Sequence, residues 1–465
     1  MTLLDTGYRP RRIPRVPNYT RQRRSELGML LLACAITILA YILASLGQYA
    51  TIPTNLSWIL VAMISFPIII HVANLYLVPL ADPVIMPIVA FLNGLGFVMI
   101  TRLNHQQALL QGTWTALGVV AYVVTLVVVT RSDLLDRYRF LFALMGLGLL
   151  VLPLAPGIGE NINGARLWIR VGPISFQPVE LAKLALAIFF ASYFVEKREV
   201  LIGRKGVAGI KDNFNLRVLG PIATAWIASL MIMTLERDVG FSLMLFLVFI
   251  ITLWIATARL SYLVGGSLLF GVGAIAASKL FGQVNERITI WIDPWKYAET
   301  IGYQIVQAQY ALGSGGLGGT GLGQGHPTLI PVVTSDFIYA AIGEEMGLLG
   351  TTAVLMAFLL LVGAGIRASL RATSPFSSLV TASFTLILGL QSFFIMAGVV
   401  RLLPLTGVTL PFVAYGGSSL ISNYVLVAIL MRVSNEGNEL EIVSIDELAN
   451  PNRPRWSKRP IPAPG

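Results

Sequence analysis

Apolar runs of about 18 to 22 residues recur along this chain, separated by polar segments, and each is long enough for a helix to cross a ~30 Å hydrocarbon core. They fall at 27–47, 57–79, 83–101, 108–129, 138–154, 177–195, 218–235, 239–258, 261–281, 337–366, 377–397 and 411–431. The pattern predicts an all-α polytopic membrane protein with about twelve transmembrane helices and both ends of the chain on one side. The run at 83–101 carries Pro87 and Asn93 and is the candidate for a re-entrant or broken helix; losing that crossing would invert half of the map.

Charge then orients the map. Charged residues are only 12% of the chain and apolar residues 55%, against roughly 25% charge in soluble domains. The net charge of +10 would suit nucleic acid, but its placement follows membrane topology instead. With the N-terminus inside, 24 Lys and Arg fall on the cytoplasmic side and eight in the outer loops. The positive-inside rule thus puts 155–176, 236–238, 282–336 and 398–410 outside. Residues 1–26, with seven arginines from Arg9 to Arg24, read as a cytoplasmic basic tail, since a signal peptide would place its apolar core nearer the start. Residues 432–465 read as a disordered cytoplasmic tail. Cys34, the single cysteine, excludes a disulfide framework and a cysteine metal site.

The longest interruption between apolar runs, 290–350, carries the richest chemistry. A glycine-rich stretch at 313–325 leads to Pro331 and then Thr334-Ser335-Asp336, where an apolar run begins. Thr, Ser and Asp cap helix N-termini through their side-chain oxygens. Asp336 is therefore expected at a helix mouth at the membrane edge, held ionised by the helix dipole; a plain cap explains the same spacing. Glu344 lies eight residues further on, which on a helix puts it below Asp336 on one face. The glycines fit a mobile loop or a set of rigid turns.

Other candidates lie on the same outer face. In 155–176, glycine turns surround Trp168, while Arg166 and Arg170 could hold phosphate in a two-pronged grip or simply snorkel to lipid headgroups. Glu180 and Lys183 share a helix face inside a span, where ionisable groups are costly; they read either as functional or as an ion pair that locks helices. Glu236-Arg237-Asp238 reads first as a tight turn. Arg401 and the segment 402–425, with its prolines, glycines, Tyr415, Ser418 and Ser419, look like a broken entry into the last span, tolerated only beside protein or a watery cavity.

Five pieces together resemble the FtsW/RodA/SpoVE (SEDS) family: NGARLWIRVGPISFQPVELAK (163–183), WIDPW (291–295), GYQIVQAQYALGSGGLGGTGLGQG (302–325), TSDFIYAAIGEEMGLLG (334–350) and LPLTGVTLPFVAYGGSS (403–419). The resemblance covers most of 130–431 in order. It implies a peptidoglycan glycosyltransferase that polymerises the membrane-anchored disaccharide lipid II at the outer face of the cytoplasmic membrane, beside a class B penicillin-binding protein. It places the family's essential Asp at Asp336 and its Glu and Lys at Glu180 and Lys183, lining one central cavity. It also implies a ten-helix core at 81–431, an added N-terminal pair at 27–80 as in actinobacterial relatives, and a large extracellular loop at 282–336. The sequence departs from the family at Val332 and Thr334, where Glu and His are common, at Leu167, where a basic residue is common, and at Arg237-Asp238-Val239-Gly240, which replaces a PDLG-like turn.

In this chemistry Asp336 would be the general base for a sugar hydroxyl, contributing ~10²- to 10⁴-fold. A diphosphate leaving group needs cations, for which Arg166, Arg170, Arg401, Lys183 or a divalent Mg or Mn ion are the candidates. Ser418 and Glu344 would complete the cavity wall. A RodA-like role in elongation is favoured over division, the C-terminal tail having no divisional motif. Two other classes fit the same pattern: a lipid II flippase, although the two halves show no repeat, and a scaffold that activates the transpeptidase.

Overall fold

The computed structural model describes residues 19–51, 56–155, 158–162, 165–171, 174–202, 227, 231, 239–280 and 282–449. In chain order the helices are α1 (Tyr19–Tyr49), α2 (Leu56–Leu77), α3 (Ile85–Leu103), α4 (His105–Val128), α5 (Asp133–Arg137), α6 (Arg139–Val151), α7 (Val179–Glu196), α8 (Arg198–Leu201), α9 (Val239–Thr257), α10 (Leu260–Leu280), α11 (Gly282–Ile292), α12 (Tyr303–Gly315), α13 (Ile338–Leu370), α14 (Pro375–Val399) and α15 (Gly417–Ala449). Every expected span has a helix except 218–235, of which all but residues 227 and 231 lie outside the described residues. Among the described residues, seven helices (α1, α3, α4, α9, α13, α14 and α15) are long and apolar enough to cross a membrane by length and composition.

Helix boundaries follow local chemistry. Asn104 starts α4 because its side chain accepts the Gln106 and Gln107 amides, and Ser374 starts α14 by accepting the Ser377 amide ahead of Pro375. The run at 83–101 forms one unbroken helix, α3, with Pro87 in its first turn, where no intrahelical amide partner is lost. The broken-helix expectation there is corrected.

Packing places α15 in the middle. Its apolar window is 89% buried, against 33% for α4, which shows a lipid-facing side. α15 packs on α4, α6 on α7, α1 on α3 and α13 on α14. Because lipid is as apolar as leucine, close packing and internal polar contacts must hold such a bundle together. Arg432 is one such contact: it donates to the carbonyls of Leu77, Leu126 and Val129 at 2.6–2.8 Å, tying α15 to the ends of α2 and α4. At the same end, Arg23 and Asn74 hold the buried Glu26 carboxylate, and the Tyr122 hydroxyl donates to Asn74.

Two tail expectations change. Residues 19–26 are the first turns of α1, with Arg23 and Glu26 buried, so the basic tail is shorter than 1–26. α15 runs on to Ala449 and buries Arg432, Asn435 and Asn438, so 432–449 is helix rather than disordered tail. The stretch 282–336, expected as a large extracellular loop, contains the helices α11 and α12. The structure also adds what apolar periodicity missed, a small antiparallel sheet of β1 (Gly159–Ile162), β2 (Ala165–Val171) and β3 (Ile174–Phe176) before α7.

Candidate functional site

The backbone around Asp336 is shaped by a break in α13. Gly347 adopts φ 63°, ψ −161° and interrupts the helix. Such a break leaves backbone groups without helical partners, and buried ones must find others. The glycine-rich segment supplies them. Thr320 and Gly321 amides donate to the Glu344 and Glu345 carbonyls at 2.9 and 3.1 Å, while Leu348 and Leu349 amides donate to the Gly316 and Leu317 carbonyls at 2.9 and 3.2 Å.

Both acids of the helix serve this loop. The Glu345 carboxylate accepts the Gly323 amide at 2.9 Å and the Arg102 Nε at 3.0 Å, and Arg102 also donates to the Gly325 carbonyl. Glu344 accepts the His326 amide at 2.7 Å. The expectation that Glu344 sits below Asp336 on one helical face is corrected: Phe337, at φ −118° and ψ 16°, is not helical, so helix spacing does not carry across it. Arg102, read from sequence only as an outer charge, is the loop's second anchor.

Asp336 lies in the turn before α13, which begins at Ile338 with no side-chain cap. Its expected capping role is therefore corrected. The Ser335 and Asp336 amides both point back to the Val332 carbonyl at 3.3 Å, and Val332 itself has φ 57°, a strained value for a β-branched residue. Asp336 as a whole residue is half-buried. Burial pushes the Asp336 pKa up, and Ser335 and the charge of Arg287 pull it partly back. Desolvation is the largest of these influences on the acid.

Arg287 is the residue that sequence reading missed. It lies on α11 and donates to the Thr406 carbonyl at 3.0 Å, which holds its charge near Asp336. Only its position four residues before WIDPW hinted at this. Arg401, at φ 62°, instead donates to the Trp291 and Ile292 carbonyls at 3.1 and 3.3 Å, and its own carbonyl accepts the Trp291 indole N–H at 3.0 Å. It caps the end of α11, where a cation complements the helix dipole.

The irregular segment 402–416 joins these parts. The Tyr415 amide donates to the Thr334 carbonyl at 2.8 Å, two residues from Asp336. Behind it, the Thr409 hydroxyl donates to Ser419 at 2.9 Å, Gln391 donates to the Thr409 carbonyl at 2.9 Å, and Lys183 donates to Gln391 at 2.9 Å. Lys183 also pairs with Glu180, which accepts the Ser422 hydroxyl at 3.0 Å. Glu180 and Lys183 are 1% and 2% exposed, so they form a sealed network behind 402–416. No hydrogen bond or ion pair among the described residues joins either of them to Asp336. Ser418 is also occupied, accepting the Gln177 amide at 2.8 Å just ahead of α7.

The sheet stands apart from this network. Glu160 lies opposite Trp168 in the β1–β2 register, and its carboxylate pairs with Arg170 at 3.1 Å, with the Arg170 side chain 60% exposed. Arg166 belongs to β2. Glu236, Arg237 and Asp238 lie outside the described residues.

The chain was compared with known proteins. A family profile for FtsW, RodA and SpoVE, described as a cell cycle protein, matches residues 75–439. Peptidoglycan glycosyltransferase RodA of Mycobacterium tuberculosis is 38% identical over 431 residues, covering 90% of this chain and 92% of that protein. A solved chain from work on the structural coordination of polymerization and crosslinking by a peptidoglycan synthase complex has the same fold, at TM-score 0.62 and 24% identity over 77% of this chain and 98% of that one. The crystal structure of the rod shape determining protein RodA of Thermus thermophilus superposes at TM-score 0.51 and 25% identity, over 76% of this chain and 96% of that one. With the profile spanning most of the helical bundle and the RodA likeness running almost end to end, this chain belongs to the FtsW/RodA/SpoVE family.

Proposed function

We propose that this protein is a peptidoglycan glycosyltransferase of the cytoplasmic membrane that polymerises lipid II at the outer face, with Asp336 as general base. The observation that carries the mechanism is the setting of Asp336: a half-buried residue in the turn before α13, its carboxyl pKa raised by burial, with the Arg287 charge acting on it. The likeness to mycobacterial RodA supports the activity and the elongation branch. The excess of Lys and Arg at the opposite end of the bundle supports cytoplasmic termini.

In the proposed step, the 4-hydroxyl oxygen of one lipid-linked disaccharide attacks C1 of the growing strand. A C4–O–C1 bond forms, the C1–O bond to phosphate breaks, and polyprenyl diphosphate leaves with the electron pair. The hydroxyl proton passes to Asp336. A raised pKa makes the carboxylate a better acceptor, and a well-placed base contributes ~10²- to 10⁴-fold. Arg287 is favoured for the leaving group's charge, because its guanidinium charge acts on Asp336 itself. Arg170 and Arg166 on the sheet are further candidates for substrate contact, with Trp168 between them.

A Mg or Mn ion at the diphosphate would arrive largely on the substrate's oxygens. Among the described residues no three His, Cys, Asp or Glu side chains cluster as a metal site, and such an ion would be held mainly by the diphosphate, leaving Asp336 free to act as base. A class B penicillin-binding protein is the proposed partner, in keeping with the synthase complex that shares this fold.

Purified protein given lipid II in detergent tests the proposal. Glycan polymer that is lost with Asp336→Asn is the expected result. Lipid II movement across proteoliposomes without polymer would replace this reading with a flippase, and full complementation of a deletion by Asp336→Asn would leave a scaffold.

A further inference from the structure

We propose that α1, which lies outside the region matched by the family profile, is a positioning element: it seats the glycine-rich loop and through it fixes Asp336. This inference rests on Asp336 acting in polymerisation.

The contact is backbone against backbone. A Cβ on Gly47 would lie 2.1 Å from the Leu322 carbonyl oxygen. From the other side, Gly323 has φ +81°, and a Cβ there would lie 2.3 Å from the Ala44 carbonyl oxygen and 2.9 Å from the Gln48 nitrogen. Only paired glycines allow the two chains this close. Between them, the Leu322 side chain packs against a small hydrophobic cluster of Ala40, Tyr41, Ala44, Phe97 and Val98 and also against the main core.

The opposite side of the loop is fastened to α13 at Glu344 and Glu345. The loop is thus held between α1 and the broken helix. From Gly325 the chain passes His326, whose amide is held by Glu344, into the turn that carries Asp336. Displacing Leu322 would shift the segment that leads, through His326, into this turn. Reaction geometry is sensitive to such shifts, since a misplacement of about 1 Å can cost on the order of 10²-fold in rate.

The test is a size-exchange cycle in the full-length protein. Ala44→Leu overfills the Leu322 seat, and Leu322→Ala restores the room. The expected result is a fall of about tenfold or more in kcat for Ala44→Leu with KM for lipid II nearly unchanged, and recovery in the double variant to the level of Leu322→Ala. The acid limb of the pH–rate profile is expected to move in Ala44→Leu and return in the double variant. Loss of stability alone would lower the active fraction without moving that limb. In a Cys34→Ser background, Ala44→Cys with Leu322→Cys should form a disulfide, and the locked protein should still polymerise. A locked protein that works only after reduction, or an Ala44→Leu variant with unchanged kcat and pH profile, would overturn the clamp. Asp336→Asn run alongside separates the outcomes: polymer from that variant removes the base assignment, whereas the cycle judges α1.

Discussion

The Thr320 amide donates to the Glu344 carbonyl at 2.9 Å, so a loop whose glycines fitted either movement or rigid turns is stitched into the gap of an interrupted helix. Each partner satisfies a group that the other's irregular backbone would leave bare. Loop and helix break therefore stabilise one another.

Gly347 is the pivot of that arrangement. A Cβ there would meet the Gly319 nitrogen at 2.4 Å, and its φ of +63° disfavours any side chain. Gly347→Ala is expected to cost about 1–3 kcal/mol from backbone strain alone and to expose 316–326 to protease. Limited proteolysis in detergent checks this; an unchanged cleavage pattern would show that the break tolerates a side chain.

The pH dependence of polymerisation should report on Asp336. A base works only when deprotonated, and burial raises this carboxyl's pKa, so kcat/KM should climb with pH through a midpoint above the ordinary aspartate value of ~3.9. Arg287 and Ser335 both lower the pKa. Arg287→Gln and Ser335→Ala should each shift the limb to higher pH. A shift to lower pH, or none, would separate these residues from the acid.

The Glu180–Lys183 pair should behave as a unit. Lys183→Met leaves a carboxylate buried with its Oε1 already lacking a partner, and breaking a buried pair from one side costs about 3–5 kcal/mol. Glu180→Gln combined with Lys183→Met removes both charges and should cost much less. Denaturation of the single and double variants in detergent measures the coupling, and simple additivity would contradict it.

Arg170 offers a contrast. Its exposed pair with Glu160 should be worth about 0.2–1 kcal/mol, so Arg170→Gln should leave the thermal midpoint nearly unchanged. Any large fall in polymerisation by that variant would then reflect substrate contact. An equal fall in Glu160→Gln would point instead to the shape of the sheet.

Hydrophobic run length by itself determined that this chain is a helical membrane protein and where most of its long helices lie, because crossing lipid demands long apolar helices whatever surrounds them. Motif spacing also marked Asp336, Glu180 and Lys183. Sequence could not say which polar groups meet, because those contacts join residues far apart along the chain: Arg287 with Thr406, Lys183 with Gln391, Tyr415 with Thr334. Periodicity failed where backbone leaves the helix, at Phe337 and Gly347, so the placement of Asp336 relative to Glu344 was decided only by tertiary structure. The same holds for α1 and Leu322, where two ordinary glycines matter only because folding presses one against the other's backbone.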